Sequence, residues 1–205
     1  KDGQVEWGTL TLGSCEIAET IPVSWKLEAM AVEDFLSYIE QELTDAVQDK
    51  AVTEGIYGAG GAAAMTGITV GAVDTVYTGT ALDGIATALA TLTAKLKIGA
   101  KIYVSPSIVE SISFAKDANG GYTYSPLNSV GLNSIATYPV EKDPYLNAGD
   151  FIIGNVGRYY RLNAIEPFSV TKDISGKRRV NEYTGYGILG GAPQPGCFAY
   201  GTAAT

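Results

Sequence analysis

The sequence contains no histidine, and this absence removes several classes of catalytic site. The common serine and cysteine hydrolases need an imidazole base, and HExxH zinc sites need imidazole ligands. Cysteine is also scarce, since Cys15 and Cys197 are the only two and form neither a disulfide framework nor a CxxC metal motif. Two thiols are compatible with a reducing cytoplasm or with a single bridge. The sequence therefore predicts no catalytic residue, no metal site and no cofactor.

Basic charge is the next shortage. Lys and Arg number 14 against 22 Asp and Glu, which gives a net charge of −8. Such a chain is not expected to bind nucleic acid or an anionic membrane, because counterion release requires a basic surface. No apolar run is long enough to span a bilayer, and no signal peptide is visible at the start. The length of 205 residues and the apolar fraction of 46% predict a folded chain with one large domain or two lobes.

A long amphipathic helix is predicted over residues 27–54. An apolar residue recurs every four positions along it, at Leu27, Ala31, Phe35, Ile39, Leu43 and Val47. The polar side carries carboxylates, at Glu33, Asp34, Glu40, Glu42, Asp45 and Asp49. Carboxylate pairs serve in catalysis and metal binding, but no histidine or basic residue is interleaved here. The pattern therefore favours a solvated acidic face.

The helix leads into a glycine-rich run at residues 55–68, which reads GIYGAGGAAAMTGI. Such a run either cradles a phosphate or forms a connector that needs several positive φ angles. A phosphate loop follows a strand and precedes a helix, whereas here the helix comes first and the run contains no lysine. This order favours a connector.

The rest of the chain alternates predicted helices and strands, which indicates an α+β or mixed α/β fold. One helix is predicted after a capping box at residues 80–83 and is closed by Gly99, and another is opened by Ser105 and Pro106. Strands are predicted at residues 5–24, 101–104, 133–141 and 197–200, and as pairs at 151–154 with 158–162 around Gly157 and at 168–171 with 179–188. The tip of the last pair, at residues 172–177, is rich in turn residues.

Four segments occur in a recognisable order. They are the long helix with its glycine loop (SWKLEAMAVEDFLSYIEQELTDAVQDKAVTEGIYGAGGAAAMTGI), a strand with a Ser-Pro-capped helix (KIYVSPSIVESISFAKDANGGYTY), then FIIGNVGRYYRL and a closing PGCFAY. This ordered set resembles the major capsid protein family of tailed bacteriophages, which has the Hong Kong-97-type fold. The resemblance extends from about residue 20 to residue 201.

The resemblance implies an α+β fold with a long spine helix, a peripheral domain and an axial domain. Residues 1–22 would be the returning strand of an extended loop, residues 23–69 and 166–205 the peripheral domain, and residues 70–165 the axial domain. Family members usually have an N-terminal arm and an outgoing strand before the returning strand, and this sequence shows neither. We expect that they were removed or lie outside this sequence.

The resemblance also implies a structural protein without enzymatic activity. Copies would assemble as pentamers and hexamers into an icosahedral shell that contacts the double-stranded DNA genome only by enclosing it. Scaffold, portal and decoration proteins would be further partners, a membrane would not, and the protein would be made in the host cytoplasm and reside in the virion. Some family members cross-link through a Lys, an Asn and a catalytic Glu, but residues 185–191 offer no carboxylate at the aligned place. No cross-linking residue is therefore assigned.

Residues for contacts between copies are suggested by charge. The hairpin tip is basic in an acidic protein, and in the resembling family this hairpin reaches towards neighbouring subunits. The candidate contact residues are Lys172, Lys177, Arg178 and Arg179 on the tip, and Glu33, Asp34, Glu40 and Glu42 on the helix. Arg178 and Arg179 are favoured for bidentate pairing with carboxylates.

Three other functions remain open at this stage. An encapsulin, the shell of a bacterial compartment, shares the fold and would be distinguished by its cargo. A carboxylate-dependent hydrolase would use a pair such as Glu141 and Asp143, although carboxylates in acidic loops are usually only solvated. A surface or adhesion protein would need a signal peptide.

Overall fold

The computed structural model describes residues 10, 12–30, 33–61, 63–78, 80–116, 119–121 and 134–203. Its elements are, in chain order, β1 (Gly13–Ser24), α1 (Trp25–Met30), α2 (Glu33–Tyr57), α3 (Ile68–Gly71), β2 (Val73–Tyr77), α4 (Ala81–Thr91), β3 (Lys101–Val104), α5 (Pro106–Ser113), β4 (Ser134–Ile135), β5 (Tyr138–Lys142), β6 (Phe151–Gly154), α6 (Val156–Tyr159), β7 (Tyr160–Ser175), β8 (Val180–Pro193) and β9 (Ala199–Ala203).

The chain forms two compact units. Unit 1 comprises residues 1–55, 59–66 and 162–192, and unit 2 comprises residues 56–58, 67–161 and 193–205. This division does not test the peripheral and axial domains implied by the resemblance, so their boundaries stay predictions. Of the proposed returning strand, residues 1–9 and 11 lie outside the described residues, and the part from Gly13 belongs to β1.

Unit 1 contains a three-stranded sheet in the order β1-β8-β7. β1 and β8 pair antiparallel over all 12 residues of β1, from Gly13 opposite Gly191 to Ser24 opposite Val180. β8 also pairs with β7, so the predicted hairpin is confirmed. Its turn is shorter than predicted, because β7 continues to Ser175 and includes the predicted tip residue Lys172.

Helix α2 packs on this sheet. Val23 of β1, Ile39 and Leu43 of α2 and Tyr183 of β8 form one buried cluster, and Leu43 is fully buried. Together with the buried Val47, these positions confirm the predicted apolar stripe over the middle of the helix.

The burial of Leu27 and the last residue of the long helix differ from the prediction. Leu27 lies in α1 (Trp25–Met30) and is 49% exposed, so the buried part of the apolar stripe does not extend back to it. Residues 31 and 32, which join the two helices, lie outside the described residues. At the other end α2 continues through Gly55 to Tyr57, three residues beyond the predicted end.

The glycine-rich run forms a tight loop that bonds to itself. Ala59 and Thr66 form an isolated antiparallel bridge, and the Gly60 amide donates to the Met65 carbonyl at 3.0 Å. Gly60 and Gly61 have φ angles of 76° and 105°, which side-chain-bearing residues rarely adopt. The positive φ angles that a connector requires are therefore present in the run.

Unit 2 contains a six-stranded mixed sheet in the order β2-β9-β6-β3-β5-β4. The pairs β2–β9 and β3–β5 are parallel, and the pairs β3–β6, β6–β9 and β4–β5 are antiparallel. Helices α4 and α5 cover the sheet with buried side chains, among them Ile85, Leu89, Ile108 and Ile112, which pack against Phe151.

The starts of α4 and α5 are predicted correctly from the sequence, but the end of α4 is not. The Thr80 hydroxyl accepts from the Asp83 amide, as a capping box predicts, and it also donates to the Asp83 carboxylate at 2.6 Å. Ser105 occupies the N-cap of α5 with Pro106 as first helical residue, although its side chain makes no capping bond. Helix α4 ends at Thr91, and Gly99 instead closes a later turn with a φ of 69°.

Two predicted strand arrangements are wrong. β6 pairs with β3 and β9, while α6 occupies the place of the predicted turn around Gly157. The strand predicted at 133–141 is split by Ala136 and Thr137, whose positive φ angles turn β4 into β5. The predicted last strand is present as β9, which starts two residues later than predicted and lies between β2 and β6.

The described residues also bear on the expectations for disulfides, metal sites and membrane spans. Cys15 and Cys197 are both free thiols, so the single bridge left open above is not formed. In the described ranges, no group of three Cys, Asp or Glu side chains lies close enough to bind a metal. No described helix has the length and apolarity needed to cross a membrane.

We predict that Gly201→Ala lowers the free energy of unfolding by about 1–3 kcal/mol. Gly201 lies opposite Phe151 in the β6–β9 ladder, and a Cβ there would overlap the fully buried Phe151 ring. Gly157→Ala is the matched control, because its Cβ would meet only Asn155 Oδ1 at 3.8 Å. Urea unfolding followed by circular dichroism measures both, and equal stability of the two variants would contradict this packing.

Candidate subunit interface

The candidate contact residues on the hairpin are presented by a turn at residues 176–179. Gly176 has open space around it, and Arg179 has a φ of 55°, which turns the chain back into β8. The amide of Trp25 donates to the Arg179 carbonyl at 3.2 Å. This hydrogen bond links the turn to the start of α1 and fixes the backbone that carries the basic side chains.

Lys172 is bonded within its own chain. Its Nζ lies 2.5 Å from Glu28 Oε1 and 5.3 Å from the centre of the Tyr183 ring. Glu28 also accepts from the Tyr183 hydroxyl at 3.0 Å and from the Asn181 amide, and Asn181 in turn accepts from Trp25 Nε1 at 3.0 Å. Lys172 therefore holds the hairpin to α1 in this structure.

The Glu28 carboxylate is the centre of that cluster. Its hydrogen bond with Lys172, followed by those with Tyr183 and Asn181, holds the pKa of Glu28 below its ordinary value, although partial burial opposes the shift. Glu28 was not singled out from the sequence. Its partners lie more than 140 residues away along the chain, and no local signal identifies them.

The other three basic residues of the tip differ in their partners. Arg178 Nη1 lies 2.9 Å from Glu182 Oε1, so this arginine is paired within the chain. Lys177 and Arg179 are exposed, and neither has a side-chain hydrogen bond or ion pair with any residue that the structure describes. Of the two arginines favoured from the sequence, Arg179 is the one whose charge is unmatched here.

The outward face of α2 carries the acidic candidates. Glu40 and Glu42 are exposed, as is Asp45, which accepts from Gln41 Nε2 at 3.0 Å. Tyr38 lies one turn before Glu42 and is 59% exposed, and a hydrogen bond with Glu42 raises the pKa of Tyr38. Exposed tyrosines are enriched at protein interfaces, and Tyr38 was not singled out from the sequence.

Glu33 and Asp34 are the remaining candidates. Both lie in the first turn of α2, and their side chains lie outside the described residues. The structure therefore does not bring the basic tip and the acidic face together by any described ion pair. The pairing of the two surfaces remains a prediction about neighbouring copies.

Comparisons with known proteins bear on the whole chain. The model of the phage capsid family matches residues 1–192. A search of curated proteins finds no match. Among solved structures, one from Gordonia phage Cozz has a TM-score of 0.77 at 15% identity, covering 100% of this chain and 79% of the other. The capsid of a native GTA particle has a TM-score of 0.77 at 16% identity with the same coverage.

A structure from Mycobacterium phage Adephagia is also similar, with a TM-score of 0.66 at 12% identity, covering 100% of this chain and 78% of the other. At these sequence identities, the similarity to the solved structures indicates a shared fold and no more. The mixed helical and strand architecture together with these similarities confirms the predicted α+β fold of the Hong Kong-97 type.

We predict that Glu28→Gln weakens unit 1 at neutral pH and that the deficit shrinks on acidification. A carboxyl with a lowered pKa stabilises the fold above its unfolded pKa, and this contribution is lost as the pH falls through the folded value. The stability that the Glu28 charge contributes is therefore lost below about pH 4. Thermal unfolding at pH 7 and pH 3 measures the difference, with the exposed Glu40→Gln as control. A deficit that is the same at both pH values would contradict the role of the charge.

Proposed function

This chain belongs to the phage capsid family, and on that premise we propose that its copies contact one another through the basic hairpin tip and the acidic face of α2. The protein is a major capsid protein and its place is the virion. The observation that carries the proposal is the unmatched charge of Lys177 and Arg179 at the turn, in a chain of net charge −8.

The proposed contact places the turn of one copy against carboxylates of a neighbour. Arg179 supplies a planar fork that suits bidentate pairing with a carboxylate such as Glu42, and Lys177 supplies a point charge. Arg178 and Lys172 contribute less, because Glu182 and Glu28 already neutralise them. Tyr38 adds apolar area in the middle of the acidic face.

Each such contact is weak alone. An exposed ion pair contributes about 0–1 kcal/mol. Many symmetry-related copies of the contact add up in a closed shell, and weak individual contacts let misplaced subunits leave during assembly. Salt should weaken these exposed ion pairs, because the screening length falls to about 3 Å at 1 M ionic strength.

The finer functional assignments follow the same premise. We propose assembly through pentamers and hexamers, a structural role without enzymatic activity, synthesis in the host cytoplasm and enclosure of the double-stranded DNA genome. Scaffold, portal and decoration proteins are proposed partners. The three alternatives, an encapsulin shell, a carboxylate-dependent hydrolase and a surface or adhesion protein, have no support, because the matching family model is that of phage capsids.

We predict that Lys177→Gln combined with Arg179→Gln weakens assembly and flattens its dependence on salt. The loss of up to about 1 kcal/mol for each contact corresponds to about a fivefold rise in the concentration for half-maximal assembly. Light scattering of the full protein against salt concentration measures both effects.

Two controls define the outcome of this experiment. Arg178→Gln removes a charge that is already paired with Glu182, so we expect a smaller effect. Lys26→Gln removes an exposed charge of α1 outside the turn and should leave assembly unchanged. If the double variant assembles as the parent does at every salt concentration, the turn makes no contact between copies.

A further inference from the structure

The net charge of the chain is unevenly divided. Unit 1 carries 7 basic and 15 acidic residues, whereas unit 2 carries 7 of each. The whole excess of −8 therefore belongs to unit 1, and unit 2 is neutral. Basic surface on unit 2 of one copy would consequently be attracted to unit 1 of another copy.

Unit 2 has such a basic surface on the turn at residues 95–99. Lys95 is exposed, Lys97 is half-buried, and Ile98 between the turn's cations and Gly99 is 65% exposed. None of the ion pairs among the described residues involves either lysine. An exposed apolar side chain flanked by unmatched cations is a surface that suits an acidic partner with an apolar floor.

The turn is held in place by hydrogen bonds. The Leu96 and Lys97 amides donate to the Thr93 carbonyl at 3.0 and 3.3 Å. The Asn155 amide group donates to the Ile98 carbonyl at 3.5 Å, and Asn155 Oδ1 accepts from the backbone amide of the exposed Arg158 at 3.2 Å. The same asparagine thus fixes the turn beside a third cation, and a fixed surface loses little entropy on binding.

Unit 1 has a groove of matching character between β1 and α2. It has a volume of about 410 Å³, and its lining includes Cys15 and Ile17 of β1 and Asp49, Lys50 and Glu54 of α2. The α2 carboxylates Asp49 and Glu54 line it together with Lys50, and that lysine is paired with Glu19 of β1. Cys15 and Glu54 both line the groove, and burial, followed by the Glu54 and Glu16 charges, raises the pKa of the Cys15 thiol.

We propose that the turn at residues 95–99 of one copy docks in this groove of a second copy. Lys97 pairs with Glu54, Lys95 adds positive charge at the same acidic wall, and Ile98 covers the apolar atoms around Cys15. The inference rests on the proposed assembly of the capsid protein and adds a contact distinct from the hairpin tip. Because the two surfaces differ, the contact is heterologous and joins copies head to tail, as a closed ring requires.

The native Cys15 supplies a direct test. In the full protein, Ile98→Cys places a second thiol on the turn, and oxidation with diamide joins two thiols into a disulfide while diamide takes up both hydrogens. We expect a ladder of dimers, trimers and larger species on a non-reducing gel, which collapses to monomer on reduction. Lys142→Cys, at an exposed lysine of β5 outside the turn, is the matched control and should remain monomeric.

The outcomes of the cross-linking separate this inference from the proposed function. If light scattering shows normal assembly of Ile98→Cys but only monomer forms on oxidation, the docking is wrong and the capsid assembly stands. A product that stops at the dimer contradicts a head-to-tail contact. If the parent protein does not assemble at any concentration or salt, both proposals fail.

A second measurement covers the case in which Ile98→Cys disturbs assembly. In the unchanged protein, docking should shield Cys15, so we expect a maleimide to label it at least tenfold more slowly in assembled than in unassembled protein. Equal labelling rates would overturn the docking. The buried Cys197 provides the internal comparison.

Charge reversal tests the pairing itself. Lys97→Glu and Glu54→Lys should each raise the concentration for half-maximal assembly, by about two- to fivefold, and their combination should restore it. The alternative partner of the basic turn is DNA. If Lys97→Glu leaves assembly unchanged and weakens only the binding of a labelled 20-base-pair duplex, the turn contacts nucleic acid and the proposed docking is overturned.

Discussion

The antiparallel ladder between β1 and β8 is the interaction on which the rest of unit 1 depends. A slip of one residue would turn Ile17 and Val23 from the core to solvent, because side chains alternate across a strand. The register fixes β8 between β1 and β7 and brings Tyr183 beside Glu28. The position of the basic turn at residues 176–179 follows from this register. The groove between β1 and α2 depends on the same ladder, because β1 forms one of its walls.

The sequence predicts those parts of the fold whose signals are local. The period-four stripe locates α2 through Ile39 and Leu43, and the capping box locates α4 through Thr80. Strand order is not local, and this is why β9 was not expected between β2 and β6. The helix α6 was also missed, because Gly157 reads as a turn residue and the cap from Asn155 is a weak signal.

The candidate interface shows the same limit in its charges. The basic tip is visible as a cluster in the sequence, but the structure divides its members by partner. Lys172 is bound to Glu28, which lies 144 residues away along the chain, and so its neutralisation has no sequence signal. Net charge likewise averages over the molecule, whereas the folded chain confines the excess of −8 to unit 1 and leaves unit 2 neutral. Such a division favours contacts between unlike surfaces of neighbouring copies, which is a property that a shell protein requires.

Electron cryo-microscopy of particles assembled from the full protein tests the central claim most directly. The account predicts closed icosahedral shells in which the turn carrying Lys177 and Arg179, and the outward face of α2 around Tyr38, are buried against other copies. A protein that forms no closed particles at any salt concentration, or closed shells in which both surfaces remain exposed to solvent, would contradict it.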